Sequence, residues 1–192
     1  GDWKKIGECE FEVFKKLITE TYPNGIVSIV SDTWDLWRVI LDYSRQLKNE
    51  ILARNGKLVF RPDSGTPEDI LCGDVLWEGV VDYKANNGGD HYQAPENKGV
   101  IELLWDIFGG TITEKGYRLL DSHVGTIYGD SISIARAKEI IRRLKNKNFA
   151  SINWVAGIGS YTYQYNTRDT FGMAVKATYC EAISSDGTKV YE

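Results

Sequence analysis

The chain has 192 residues, enough for one domain with a core of its own. With 42% hydrophobic and 26% charged residues, its composition is that of an ordinary globular protein. The net charge of −4 gives no electrostatic case for nucleic acid, and no apolar run reaches the length of a membrane span. Three scattered cysteines and two histidines fit neither a disulfide framework nor a zinc site. This cysteine usage predicts a cytoplasmic location for the protein.

Predicted helices and strands alternate along the first half of the chain. An amphipathic helix comes first, and the next elements are a buried strand, an aromatic-rich helix and a second strand: residues 8–21, 26–31, 33 to about 54, and 57–60. Thr66 then caps another helix, with Pro67 at its first position. Alternation of this kind predicts βαβ units and a parallel sheet.

The second half contains one interruption and a different tail. Residues 82–99 are polar and rich in turn formers, which predicts an exposed insertion. Three elements follow: a helix at 100–108, a strand that ends at Asp130, and a helix that Ser131 caps and that runs to about Asn146. The pattern of 173–183 and 189–191 predicts antiparallel strands. The chain thus divides into an α/β domain, residues 1–170, and a small antiparallel β extension, residues 171–192.

Four short apolar runs end in residues suited to a phosphorylated sugar. The strand ends are Ser31-Asp32, Arg61-Pro62-Asp63-Ser64-Gly65, Gly129-Asp130-Ser131 and Gly157-Ile158-Gly159-Ser160. Because parallel α/β sheets bind their ligands at the carboxyl ends of strands, these four segments predict one shared pocket.

Each segment also has a purely structural interpretation. Arg61 and Asp63 suit phosphate and sugar hydroxyls, but an Arg–Asp pair can equally hold a loop. Gly129-Asp130 suits a ribose diol or a helix N-cap, and residues 157–160 suit a phosphate cradle or, taken alone, more often an ordinary turn. Arg168 and Lys176 supply cations for the same anion. The aromatic side chains around Trp34, Trp37 and Tyr43 are expected in the core.

The motifs, taken together and in order, resemble one enzyme family. They are Ser28-Ile29-Val30-Ser31-Asp32, Arg61-Pro62-Asp63-Ser64-Gly65, Lys115-Gly116-Tyr117-Arg118-Leu119-Leu120, Tyr128-Gly129-Asp130 and Thr167-Arg168-Asp169. This set resembles the nicotinamide phosphoribosyltransferases, which are type II phosphoribosyltransferases built on an α/β barrel. The resemblance covers about residues 11–179 and implies a partial (β/α) barrel of parallel strands.

The resemblance implies a role for each matched residue. Asp32 and Asp63 would be the catalytic acids; the substrate-binding residues would be Ser28, Arg61, Asp63, Gly129, Asp130, Gly159, Ser160, Arg168 and Lys176. Arg61 would pack on the nicotinamide ring near the pyrophosphate. Asp63, Gly129 and Asp130 would hold the ribose, and Gly159 and Ser160 the 5′-phosphate. Arg168 and Lys176 would act across a homodimer, while Asp32 and Ser28 would lie on the pocket wall, Asp32 also orienting a catalytic histidine.

The implied reaction joins nicotinamide to 5-phosphoribosyl-1-pyrophosphate, giving nicotinamide mononucleotide and pyrophosphate for NAD salvage, with Mg²⁺ on the pyrophosphate. Whether ATP takes part stays open. Neither His91 nor His123 matches the family's catalytic histidine, so the chain resembles the carboxyl-terminal part of the enzyme and is expected to be inactive alone. Two alternatives remain: nicotinate as the substrate, or a non-catalytic domain that binds phosphosugars or associates with other chains.

Overall fold

The structure is a computed structural model that describes residues 3–74, 94–159, 172, 181–183 and 189–191. Eight helices, numbered α1 to α8, occupy Trp3–Lys16, Leu36–Arg38, Ser44–Gln46, Lys48–Leu52, Pro67–Cys72, Pro95–Lys98, Val100–Phe108 and Ile134–Asn146 within this part of the chain. The strands β1 to β8 are Asn24–Val30, Asn55–Arg61, Gly110–Ile112, Arg118–Leu120, Val124–Tyr128, Trp154–Ala156, Glu181–Ile183 and Lys189–Tyr191. Single π-helical turns follow α1 and α2, at Leu17–Thr21 and Val39–Tyr43, and a 3₁₀ turn at Ser151–Asn153 precedes β6.

Four of the strands form one parallel sheet in the order β1-β2-β5-β6. Helices connect each strand to the next, which is the βαβ arrangement that the alternating pattern predicts. The predicted α/β fold with a parallel sheet is therefore confirmed, while closure into a barrel stays a prediction. Two further pairs, β3 with β4 and β7 with β8, are antiparallel, and the second confirms antiparallel structure in the tail.

The helix boundaries follow local capping chemistry. The first helix starts at Trp3, five residues before its predicted start at Glu8. Asp35 accepts a hydrogen bond from the Arg38 amide (3.1 Å) and begins α2. The prediction that Ser131 caps α8 is wrong: Ser131 has φ +52°, so it turns the chain, and Ser133 accepts the capping bond from the Arg136 amide (3.2 Å).

One face of the parallel sheet is covered by helices and forms the core. Val27, Ile29, Leu58 and Phe60 alternate along β1 and β2 and are all at most 8% exposed. Helix α7 adds Val100, Ile101, Leu103, Leu104, Ile107 and Phe108 to the same core. The opposite face is open: Ile26 is 77% exposed, Val155 55% and Val30 42%.

Two expectations outside the sheet are tested in part. Of the predicted insertion at 82–99, the structure describes residues 94–99, where α6 is tied to α8 because the Lys147 ammonium donates to the carbonyls of Asn97 (3.3 Å) and Lys98 (2.9 Å). Tyr43 is buried and Trp37 packs against the core as expected, whereas Trp34 is 56% exposed, so its assignment to the core is wrong. Among the described helices, none has the length and hydropathy that crossing a membrane requires.

Candidate active site

The four predicted strand ends lie next to one another. Val30 pairs with Arg61 at the ends of β1 and β2, and Tyr128 pairs with Ala156 at the ends of β5 and β6. Since all four strands are parallel and neighbouring, the segments that follow them leave the same edge of the sheet. The four segments therefore share one edge of the sheet, as the predicted common pocket requires, while the pocket itself stays a prediction.

The segment after β2 is held from the side of β1 by Asp32. One oxygen of the Asp32 carboxylate accepts hydrogen bonds from the amides of Asp63 (2.8 Å) and Ser64 (2.7 Å), and from the Ser64 hydroxyl. Three donors on one carboxylate fix the path of this loop. Asp32 therefore acts on the loop, in addition to the pocket-wall position that the family resemblance implies.

Beneath this contact, Ser31 joins the ends of the two strands. Its side chain is buried, and its hydroxyl donates to the carbonyl of Ile29 (2.8 Å) while accepting from the amide of Arg61 (3.1 Å). The Ser31 amide donates in return to the Arg61 carbonyl (3.0 Å). The backbone that carries Arg61 is thus fixed on both its polar groups.

The side chains of Arg61 and Asp63 are not needed to hold the loop. The closest approach of the guanidinium to the carboxylate is 3.6 Å, and the two side chains are 48% and 52% exposed. Such a half-exposed pair contributes about 0–1 kcal/mol to stability. Asp32 holds the backbone instead, so the cation and the acid face solvent and are available to a ligand.

The opposite side of the same loop meets β5 through Tyr128. Its side chain is fully buried, and its hydroxyl donates to the Gly65 carbonyl (3.0 Å), 63 residues away in sequence. Burial raises the pKa of Tyr128, and the carboxylates of Asp130, Asp32 and Asp63 raise it further, against an opposing effect of Arg136. The hydroxyl thus joins the end of β5 to the loop that follows β2.

Glycines form the neighbouring part of the edge. The Gly157 amide donates to the Tyr128 carbonyl (3.0 Å), and a Cβ on Gly157 would clash with the Cα of Gly129. The two backbones touch with no side chain between them, which leaves the surface above them open to close approach by a ligand. At Gly159 a Cβ would meet nothing within 4 Å, as expected of a loop that faces solvent.

The remaining predicted residues divide into two groups. Ser28 is exposed on the open face of β1, beside Val59 in register, two residues below Val30 and on the same face as Arg61. Ser160, Arg168 and Lys176 lie outside the described residues. No group of three or more His, Cys, Asp or Glu side chains placed to hold a metal occurs in the described part of the chain.

Sequence reasoning missed the two residues that fix the loop from below and from the side, Ser31 and Tyr128, as well as Arg136. The Arg136 guanidinium donates to the Ser131 carbonyl (3.1 Å) and so reaches the turn that follows Asp130. A signal existed for Tyr128, because it ends a strand directly before Gly129-Asp130. Its partner could not be found from local sequence.

The groups at this edge have the chemistry that suits a phosphorylated sugar. Half-exposed carboxylates accept hydrogen bonds from hydroxyls, a guanidinium pairs with phosphate, and bare glycine backbone lets a ring approach closely. All three are present where the ends of β2, β5 and β6 meet.

Comparison with known proteins agrees with this geometry. Residues 4–191 match the nicotinate phosphoribosyltransferase (NAPRTase) family. Nicotinamide phosphoribosyltransferase of Acinetobacter baylyi is 53% identical over 178 residues, which is 90% of this chain and 33% of that relative. The enzyme of the same name from Mycoplasma pneumoniae is 39% identical over 174 residues, covering 89% of this chain and 35% of its own length.

A relative from Xanthomonas campestris, also named nicotinamide phosphoribosyltransferase, is 30% identical over 182 residues, 94% of this chain and 32% of that protein. The chain spans about a third of the length of these curated relatives. Since the family match covers nearly every residue, this chain belongs to the nicotinate phosphoribosyltransferase family.

Proposed function

We propose that the protein to which this chain belongs transfers a phosphoribosyl group from 5-phosphoribosyl-1-pyrophosphate to nicotinamide, giving nicotinamide mononucleotide and pyrophosphate. The observation that carries the proposal is the loop at residues 61–65. Asp32 and Tyr128 hold its backbone, while the side chains of Arg61 and Asp63 stay half exposed beside Gly129-Asp130. The match to relatives of that activity supplies the nature of the sugar.

In this reaction the protein contributes mainly by positioning the substrates and its own charged side chains. The transition state at the anomeric carbon resembles an oxocarbenium ion, as in glycoside cleavage. Asp63 and Asp130 hold the ribose hydroxyls and stabilise positive charge on the ring, and Arg61 stabilises negative charge on the departing pyrophosphate. No covalent step on the protein is required, so the fixed loop contributes by orienting its two charged side chains.

Mg²⁺ enters this scheme as the complex of the phosphoribosyl pyrophosphate substrate. The exposed carboxylates of Asp63 and Asp130 are hard oxygen donors of the kind that Mg²⁺ prefers, and would face the ion that the substrate carries. That ion would supply positive charge beside the pyrophosphate leaving group.

The rest of the assembly is part of the same proposal. Further strands of the whole protein would close a barrel and so cover the open face of the sheet. The whole protein would act in the cytoplasm. A second subunit of a homodimer would bring Arg168 and Lys176 to the 5′-phosphate that Gly159 and Ser160 bind. The exposed apolar residues Ile26, Val30 and Val155 support this, because a face of that kind needs a cover.

A calorimetric titration of this chain with Mg²⁺-phosphoribosyl pyrophosphate tests the phosphosugar site. We expect saturable binding that Arg61→Ala abolishes. Arg142→Ala is the matched control, because Arg142 is an exposed arginine that pairs with Glu139 on α8. Equal loss in both variants, or no binding by a folded wild-type chain, would contradict the assignment of a phosphosugar site to this segment.

Turnover is tested in the whole protein. Asp63→Ala should abolish formation of nicotinamide mononucleotide while the thermal unfolding temperature stays unchanged, since the Asp63 side chain is half exposed. Full activity of that variant would refute the ribose assignment.

Nicotinate is a second candidate for the base that accepts the phosphoribosyl group, because the matching family is named for nicotinate phosphoribosyltransferase. Comparing kcat/KM for nicotinamide and nicotinate in the whole protein decides between them. Turnover of neither base, with phosphosugar binding retained, would favour a non-catalytic binding domain.

A further inference from the structure

We propose that Tyr128 is a positioning residue, whose hydroxyl fixes the loop at residues 61–65 against the end of β5 and so sets the distance between Asp63 and Asp130. The inference rests on the proposed function, since it concerns the two acids assigned to the ribose. It gives a role to a residue that makes no contact with solvent.

The position of Tyr128 in the sheet accounts for this role. Its carbonyl accepts from the Gly157 amide (3.0 Å), so β6 fixes its backbone, and its ring is buried on the helix-covered face. The residues directly after it are Gly129 and Asp130. A shift of the Tyr128 ring is therefore transmitted to the strand end that carries the second acid.

The acceptor of the hydroxyl is equally well defined. Gly65 has φ +90°, a left-handed conformation that directs its carbonyl and that favours glycine. Asp32 fixes residues 63 and 64 through their amides from the side of β1. Tyr128 fixes residue 65 from the side of β5. The loop that follows β2 is therefore held by hydrogen bonds from both neighbouring strands, β1 and β5.

The hydroxyl is also kept in the form that donates. Burial raises the pKa of Tyr128, and the carboxylates of Asp130, Asp32 and Asp63 raise it further, so the phenol keeps its proton at neutral pH. The hydrogen bond to the Gly65 carbonyl consequently does not depend on pH around neutrality.

Removal of the hydroxyl alone, in Tyr128→Phe, tests the proposal. In the isotope-labelled chain without ligand, we expect the amide hydrogens of Asp63 and Ser64 to exchange several times faster than in the wild type. With Mg²⁺-phosphoribosyl pyrophosphate, we expect binding weaker by about 3- to 10-fold, the value of one hydrogen bond.

Tyr43→Phe is the matched control. Tyr43 is likewise buried, and its hydroxyl likewise donates to a backbone carbonyl, that of Gly7 (2.8 Å), with the Glu10 carboxylate as a second acceptor (3.1 Å), but it lies between α1 and the helices after β1. Both variants should lose similar stability. Only Tyr128→Phe should change exchange at the loop and the affinity for the phosphosugar.

Gly65→Ala disturbs the same hydrogen bond from its acceptor side, because the backbone at φ +90° strains an alanine and its Cβ would lie 3.1 Å from the Ile70 side chain. If Tyr128→Phe does not fold, this variant should reproduce the faster exchange and weaker binding. In the double variant the two effects should be less than additive.

Loop exchange that is unchanged in Tyr128→Phe, or changed equally in Tyr43→Phe, would overturn the role of Tyr128. The exchange measurement needs no ligand, so it decides the role of Tyr128 even if the wild-type chain fails to bind the phosphosugar. That failure would count against the proposed function alone.

Discussion

The two faces of the parallel sheet differ although the same four strands build both. On the helix-covered face, Phe60 and Leu58 are each 1% exposed and Tyr128 is fully buried. On the open face, Ile26 is 77% and Val155 55% exposed, and the polar or charged residues Ser28, Lys57 and Arg61 lie among the apolar ones. One face is a packed core, and the other presents polar and charged side chains to solvent.

The difference explains how the site combines rigidity with access. Residues of the covered face, such as Tyr128 and Ser31, form hydrogen bonds that fix the strand ends from below. Arg61 comes from the open face and Asp63 from the loop beyond it, and both stay available to a ligand. Alternation along a strand thus places supporting side chains on the covered face and exposed ones on the open face.

Deleting a side chain from each face should produce the largest contrast. Phe60→Ala should lower the free energy of unfolding by about 3–5 kcal/mol, because it leaves a cavity in a packed core. Ile26→Ala should change it by no more than about 0.5 kcal/mol, since most of the Ile26 side chain already meets solvent.

Urea unfolding followed by circular dichroism measures both variants, and the slope with denaturant shows whether the same surface unfolds. A similar loss in both would mean that the open face is covered within this chain, and the contrast between the faces would fail.

A smaller effect is expected where the two glycine strand ends touch. A methyl group at Gly157 would clash with the Cα of Gly129, so Gly157→Ala should cost about 1–3 kcal/mol and weaken phosphosugar binding. Gly159→Ala adds the same methyl group two residues later, into open space, and should leave stability unchanged. Thermal unfolding and the calorimetric titration measure both; equal effects would show that the close contact of β5 and β6 does not shape the site.

The sequence was sufficient to predict the features that depend on local pattern. Alternating elements indicated the parallel sheet, and the ends of four apolar runs were expected at one of its edges. Both features are present because parallel, neighbouring strands bring their carboxyl ends to the same edge.

The contacts that build the site could not be predicted, because they join distant segments. Asp32 reaches residues 63 and 64, and Tyr128 reaches a carbonyl 63 residues away. Nothing in the local pattern specifies these partners.

Local signals were also ambiguous at two positions. Ser131 and Ser133 can both cap a helix, and the left-handed backbone at Ser131 decides between them. Trp34 and Trp37 share helical spacing, but Trp34 precedes the first turn of α2 and lines a groove with Val13, Phe14, Ile29 and Val30. Spacing alone does not show whether a face packs on the core or lines a groove.

The smallest expected effect is a difference in how readily iodoacetamide reaches a cysteine on each side of the sheet. Cys72 lies within the core, where burial raises the pKa of its thiol to about 12 and leaves only a trace of the reactive thiolate. Cys9 is exposed and lines the groove beside Val30, at the border of the open face. Iodoacetamide should therefore modify Cys9 readily in the folded chain and Cys72 only after unfolding, as peptide mass spectrometry can follow.

In Phe60→Ala, Cys72 should react faster while Cys9 does not, because the core opens more often and the groove is already open. Equal rates at the two thiols in the folded wild type would mean that the helix layer does not seal the covered face, which would remove the rigid support on which the positioning of Arg61 and Asp63 depends.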